Sequence, residues 1–519
     1  MIFLCLTAAL LLPQSDEARR CYNSGLDKHK KGDLDGALAD YSKAIELHPN
    51  YALAWSNRGM VKRVKGELDG AILDLTRAIE IDPSQWNSYF SRSHARQEKK
   101  DLPGALADLN RVVELNPDFS LGYHNRGVIK SQLKDYDGAI KDFDRCIAYK
   151  PQEAIYYLNR AGVRHLKGDN AGAKADLERA IDLEPDSAAV RAHCADHREK
   201  MGDLDGALAD ATRAVELEPK VAKWRLERGK LLCKKEDYEG AIEEFTRAIQ
   251  LDPMLAEAYG ERAEAMALLG DTDGAITEFS KCIELNPKDP SPYHGRGTCK
   301  RVKGDAVGAL ADIDRAIGIA PGEKRPYVDR GLAKMDLGDE EGAEADFRRA
   351  LEIDPKPSYT RSFAYWFLAR LRYDRQSWDE ALANLRKACE ADPVEPDYFR
   401  FRIWLIRARL GERGAATKEL DEYLKVRKAT SNDKWILGIA SFLTGRIAEQ
   451  EFLGAAVSKD EKTARGRKCQ AHFYAGTLRL IDKDRAGAEA LFRKSVDTGE
   501  WPYAEHRSAK AELKALQAK

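Results

Sequence analysis

Opposite charges cancel in this 519-residue chain: 85 Lys and Arg face 86 Asp and Glu, for a formal net charge of −1. Without a net field there is no counterion-release drive toward nucleic acid, so the expected partners do not include it. Nine cysteines lie at 5, 21, 146, 194, 233, 282, 299, 389 and 469 with no CxxC pair, which excludes a disulfide framework or zinc ribbon read from spacing. Cys146 and Cys282 stand where other repeats carry alanine and are expected to be small buried side chains. No GxxxxGK[ST], GxSxG, HExxH or three-glycine dinucleotide fingerprint occurs, so phosphate cradles, nucleophile elbows and zinc proteases have no seat. The expectation is therefore a non-enzyme without cofactors.

Long apolar runs are missing as well. The uncharged stretch Ile2 to Leu12 is shorter than the roughly 20 residues that cross a bilayer. It has the length of a secretory h-region, although a basic n-region and an A-x-A site before Ser15 are lacking. Residues 1–17 are read as a signal-like leader, with export to the periplasm or cell envelope expected and the cytoplasm as the alternative. Cys5 lacks the small neighbours of a lipoprotein signal, which leaves membrane association open.

What the chain does have is a period. GDLDGALAD occurs at 32–40 and again at 202–210, with GDAVGALAD at 304–312, and the separations are multiples of 34. Prolines recur every 34 residues from Pro49 to Pro355, each closing a segment such as KAIELHP or RAIEIDP. With that proline counted as position 32, ten repeats run from Ala18. Position 8 is small, from Gly25 to Gly331, and position 20 is alanine in all ten, from Ala37 to Ala343. Small residues on two successive helices allow their axes to approach, so each repeat reads as a packed antiparallel pair. Asp33 and its equivalents at position 16 are expected to cap the second helix, with the preceding glycine making the turn. Position 7 carries Arg58, Arg92, Arg126, Arg160, Arg228, Arg262, Arg296 and Arg330, and position 23 carries an acid throughout; these are read as a structural ladder of charge pairs, each of modest value.

These positions resemble the tetratricopeptide repeat: an aromatic at 4 (Trp55, Tyr89, Tyr123), Gly at 8, Ala at 20, an aromatic or apolar residue at 24 (Tyr41, Phe143, Phe245) and Pro at 32. The resemblance covers residues 18–357 and implies an all-α right-handed α-solenoid of antiparallel helix pairs, its inner wall left free to hold another chain. It also implies that positions 2, 5, 6, 9, 12 and 13 of each first helix line a peptide-binding groove. Here these include Ser56, Asn57, Phe90, His94, His124, Asn125, Leu158 and Asn159. The lysine and asparagine pattern of an Hsp70 or Hsp90 tail clamp is not supplied by any three successive repeats.

Degenerate repeats are expected over 358–432, where aromatics from Tyr359 to Trp404 alternate with Arg400, Arg402, Arg407 and Arg409. Stacking on single-stranded nucleic acid is one reading of that mixture and a bulky core is the other, favoured by the helical spacing. Residues 433–519 hold one further repeat, with Gly476, Ala488 and Phe492 at the marker positions, and a closing EHRSAKAEL helix expected to cap the array. This C-terminal order is similar to the end of the NlpI family of bacterial envelope lipoproteins, which implies an adaptor for cell-wall enzymes. His193 and His197, spaced i, i+4 around Cys194 with His165 one repeat earlier, form a possible but incomplete metal set. The function expected is a scaffold for proteins or peptides; the rivals are an enzyme or metal-dependent factor with an unrecognised site, and a cytosolic assembly factor.

Overall fold

In the computed structural model, residues 16–391, 397–427, 433–499 and 504–518 are described. The predicted leader lies outside them, apart from its last two residues. All 29 elements among the described residues are α-helices. The chain divides into two units, up to Pro253 and from Met254.

Unit 1 contains seven helix pairs: α1 (Asp16–Lys30) with α2 (Leu34–Leu47), α3 (Ala52–Val64) with α4 (Leu68–Ile81), α5 (Trp86–Glu98) with α6 (Leu102–Leu115), α7 (Ser120–Gln132) with α8 (Tyr136–Tyr149), α9 (Ala154–Lys167) with α10 (Asn170–Leu183), α11 (Ala188–Lys200) with α12 (Leu204–Leu217), and α13 (Ala222–Lys234) with α14 (Tyr238–Leu251). Unit 2 continues with α15 (Ala256–Leu268) and α16 (Thr272–Leu285), α17 (Pro290–Val302) and α18 (Ala306–Ile319), and α19 (Lys324–Asp336) and α20 (Glu340–Ile353). Its degenerate part holds α21 (Tyr359–Asp374) with α22 (Trp378–Ala391) and α23 (Asp397–Arg409) with α24 (Arg413–Val426). The last segment comprises α25 (Asp433–Leu443), the short α26 (Glu449–Gly454), α27 (Glu461–Ile481) with α28 (Arg485–Asp497), and α29 (Ala504–Gln517). Within each unit this is an all-α arrangement of solenoid type. No helix among the described residues is long and apolar enough to cross a membrane.

The joint between helices follows from GDLDGALAD. Gly32 adopts φ +81°, the left-handed conformation that ends α1 without a Cβ clash. Asp33 then caps α2, its Oδ1 accepting from Gly36 N at 2.9 Å. A Cβ on Gly36 would stand 2.2 Å from Asp33 Oδ2, so cap and glycine are one device. The same bond recurs from Asp101 to Asp339 and again at Asp484. Glu67 makes no side-chain cap, its extra methylene carrying the carboxylate past the first-turn amides.

Packing inside a repeat is equally specific. All ten position-20 alanines, Ala37 to Ala343, are completely buried. The position-8 glycine faces the position-24 side chain of its own repeat: a Cβ on Gly229 would meet Phe245 Cε1 at 2.5 Å, and one on Gly331 would meet Phe347 Cε1 at 2.6 Å. Where position 8 is Ala263, the Phe279 ring instead lies under Gly295 of the next repeat, whose Cβ would stand 2.4 Å from it. Cys146 and Cys282 are buried at the position other repeats fill with alanine. Unit 2 gains a larger core from its aromatics: Trp404, Phe401, Phe452, Phe473, Tyr474 and Phe492 are fully buried, whereas Tyr359 is exposed. A Cβ on Gly476 would reach Phe492 at 2.9 Å, so α27 and α28 rebuild the repeat geometry.

Candidate functional site

The eight groove residues separate into two groups. Ser56, Asn57 and Leu158 are buried, and they tie neighbouring first helices together. Ser56 Oγ accepts from Ser88 Oγ at 3.0 Å, and Asn57 Nδ2 donates to the Tyr22 hydroxyl at 2.9 Å. Phe90, His94, His124, Asn125 and Asn159 are only partly buried. Four of them form a relay across α5, α7 and α9. Asn125 Nδ2 lies 2.7 Å from His94 Nε2, His124 Nδ1 lies 3.1 Å from Asn125 Oδ1, and Asn159 Nδ2 lies 2.9 Å from His124 Nε2. An amide nitrogen only donates, so both Nε2 atoms accept and both imidazoles are the neutral Nδ1–H tautomer in this network. Burial lowers the pKa of both rings below the ordinary 6.5, in agreement with that assignment. Phe90 sits edge-on to His94, with ring centroids 4.5 Å apart, and closes one end of the relay. Each amide is anchored through only one or two of its four hydrogen-bonding sites, which leaves capacity toward a peptide backbone.

Behind this face runs the arginine ladder, and burial changes its expected worth. Asp142 on α8 is 3% exposed and accepts from Arg126 Nη2 at 2.6 Å, Arg126 Nε at 2.9 Å and Lys130 Nζ at 2.9 Å. Arg126 also donates to Asn110 Oδ1 of the preceding repeat at 3.1 Å and lies 5.3 Å over the Tyr123 ring. The same fork recurs at Arg58 with Asp74, Arg92 with Asp108, Arg160 with Asp176, Arg296 with Asp312 and Arg330 with Asp346. In the sixth repeat, where Cys194 holds position 7, Arg191 reaches Asp210 from position 4 at 2.9 Å. The structural ladder expected from the sequence is present, but its pairs are desolvated and so exceed the modest value expected of each, because removing one partner strands a buried charge.

In unit 2 the corresponding wall is occupied. Helix α29 packs on α27 and α28 as a cap and also reaches α21. Ser508 Oγ donates to Asp374 Oδ1 at 3.1 Å, Arg507 pairs with Asp336, and Arg409 Nη1 donates to Glu512 Oε2 at 3.4 Å. The expectation of an inner wall left free therefore fails here: α29 carries buried Ser508, Ala509 and Glu512, and it hides them against the first helices. Around it, burial pushes the Asp374 carboxyl up to about 6. Sequence reasoning named Arg402 and Arg409 only within the basic and aromatic mixture of the degenerate repeats and missed Arg370 and Asp374, all four lying on the first helices α21 and α23.

The metal set does not assemble. Cys194 is completely buried with Sγ 3.8 Å from Leu177 O, His193 is exposed, and His165 Nδ1 is engaged 2.8 Å from Asn170 Oδ1. No group of three metal-ligating side chains occurs among the described residues.

Profiles of known families match along the chain. One described as a TPR repeat matches residues 25–63 and 229–270; one described as a tetratricopeptide repeat matches 122–153, 154–187, 256–289 and 325–357; and a second of that description matches 368–434, inside the degenerate part. No curated protein matches. Among solved structures, a tetratricopeptide repeat protein from Parabacteroides merdae ATCC 43184 is 21% identical, covering 49% of this chain and 100% of that one with a TM-score of 0.41. Yeast Tom70 is 17% identical, covering 83% and 96% with a TM-score of 0.43, and MamA is 28% identical over 31% and 93% with 0.29. On the repeats matched in both units, the chain carries multiple tetratricopeptide repeats and belongs to that repeat family.

Proposed function

We propose that the protein is a non-enzymatic adaptor that holds an extended segment of another protein along α5, α7 and α9. The observation that carries this is the His94, Asn125, His124, Asn159 relay, which presents neutral amides and imidazoles at the spacing of successive repeats. Neutral donors and acceptors suit a peptide backbone and discriminate little by charge, so affinity would come from many repeats at once. The apolar run at 2–12 and the C-terminal likeness to NlpI support a place in the cell envelope, among enzymes the adaptor would gather. Affinity capture with the unchanged chain and with an Asn125→Ala, Asn159→Ala chain is the test. Loss of the captured segment with helicity retained is expected; full retention by the double variant refutes the assignment.

A further inference from the structure

Helix α29 lies in unit 2 as a ligand would, and the fit is incomplete. Glu505 and Glu512 are seven residues apart and so share a face of α29; Arg402 and Arg409 are seven apart and share a face of α23. The second pair is closed, Glu512 meeting Arg409. The first is not: Glu505 Oε1 stays 3.6 Å from Arg402 Nη2 and accepts instead from the Tyr474 hydroxyl at 3.5 Å. Arg402 is 2% exposed, and none of its three guanidinium nitrogens has a hydrogen bond among the described residues. Its guanidinium is clasped by the Phe473 ring at 4.3 Å and the Tyr373 ring at 4.9 Å, and the Tyr373 hydroxyl is likewise without a hydrogen-bond partner. A buried guanidinium between two rings, at ion-pair distance from Glu505 but with no hydrogen bond to any of its three nitrogens, is a seat for a carboxylate that the present occupant fills only in part. Beside α29 a cleft of about 510 Å³ remains, bordered by Arg301, Met335, Asp336 and Lys510, so the helix does not fill the wall in volume either.

We infer that this wall is a receptor for an acidic helix of a partner protein, one with two carboxylates seven residues apart, and that α29 holds it closed as an internal stand-in. The partner's first carboxylate takes the bidentate position on Arg402 that Glu505 leaves empty, its second replaces Glu512 on Arg409, and α29 is displaced. Ala509, Leu513 and Leu516 seat α29 in the hydrophobic core it shares with α27 and α28, whereas its contacts with the wall itself (Ser508 on Asp374, Arg507 on Asp336, Glu512 on Arg409) are polar and are the ones a partner's side chains would exchange. This deepens the adaptor reading by adding a second, charge-selective surface.

The test uses the full chain and a fluorescein-labelled synthetic peptide of residues 504–519. With Glu505→Gln and Glu512→Gln in the chain, the internal helix loses its charges while keeping its shape, and peptide affinity is expected to rise at least tenfold over the unchanged chain. A peptide carrying the same two Gln substitutions is expected to lose that gain. Two results overturn the inference: no peptide binding to a variant whose helicity and melting match the unchanged chain, or equal binding of the Gln peptide. If the variant does not fold, hydrogen exchange on the unchanged chain decides instead: α29 amides exchanging faster than those of α27 and α28 support displacement, and equal protection makes α29 a permanent wall. The Asn125→Ala, Asn159→Ala chain is expected to bind the 504–519 peptide as the unchanged chain does, so the two readings fail separately.

Discussion

Replacing Arg126 by alanine tests whether the ladder is a buried network. The substitution leaves Asp142, 3% exposed, with Lys130 as its one ion-pair partner among the described residues, and removes the bond to Asn110 and the contact with the Tyr123 ring. Breaking one side of a buried pair costs about 3 to 5 kcal/mol, and the surviving Lys130 pair places this case near 3 kcal/mol. An exposed pair, such as Lys65 with Asp35 at 2.5 Å, is worth about 0.5 kcal/mol. Because repeats open semi-independently, the loss is read locally, from hydrogen exchange of α7 and α8 alongside urea unfolding. Arg126→Leu with Asp142→Leu removes both charges, and it is expected to cost less than Arg126→Ala alone. A loss below about 1 kcal/mol for Arg126→Ala, or a double variant as damaged as the sum of its singles, refutes the argument that a stranded carboxylate dominates.

Glycine at position 8 makes room for a side chain, so Gly229→Ala, with its Cβ 2.5 Å from Phe245, is expected to cost about 1 to 2 kcal/mol in urea unfolding despite alanine's better helix propensity. Glu67→Asp should supply the cap that the second repeat alone lacks among the ten, raising stability by about 0.5 to 1 kcal/mol; an unchanged urea midpoint would count against the capping argument. The neutral imidazoles of His94 and His124 have pKa values lowered in the fold, so the unfolded chain takes up protons first as pH falls below 6.5. Relay stability is therefore present above that value and lost as pH drops through the window down to the lowered folded pKa, and His124→Gln should flatten this slope in a pH series of thermal midpoints.

Much of the fold was legible because it depends on interactions that repeat. Asp33 capping through Gly36, and Gly331 opposite Phe347, are local pairs at fixed spacing, and ten copies make the spacing visible in the chain. The groove was legible by position only. Ser56, Asn57 and Leu158 fall at groove positions yet are buried, Ser56 against Ser88 of the next first helix and Asn57 against Tyr22 of the preceding one; solvent exposure depends on such neighbours and not on the count. The sixth repeat shows the same limit, since Arg191 reaches Asp210 from position 4, a substitution that spacing rules for position 7 cannot register.

The sequence by itself determined the helix pairs, their period, their caps and the charge ladder, since each is set by residues within about one repeat of each other. Only the tertiary structure decided that α29 would lie against α19, α21 and α23, joining Arg507 to Asp336 across 171 positions and Arg409 to Glu512 across 103. The reason is physical: contacts made once, between residues far apart in the chain, leave no periodic trace. Whether a buried arginine such as Arg402 finds its carboxylate depends on a few tenths of an ångström in how two helices meet.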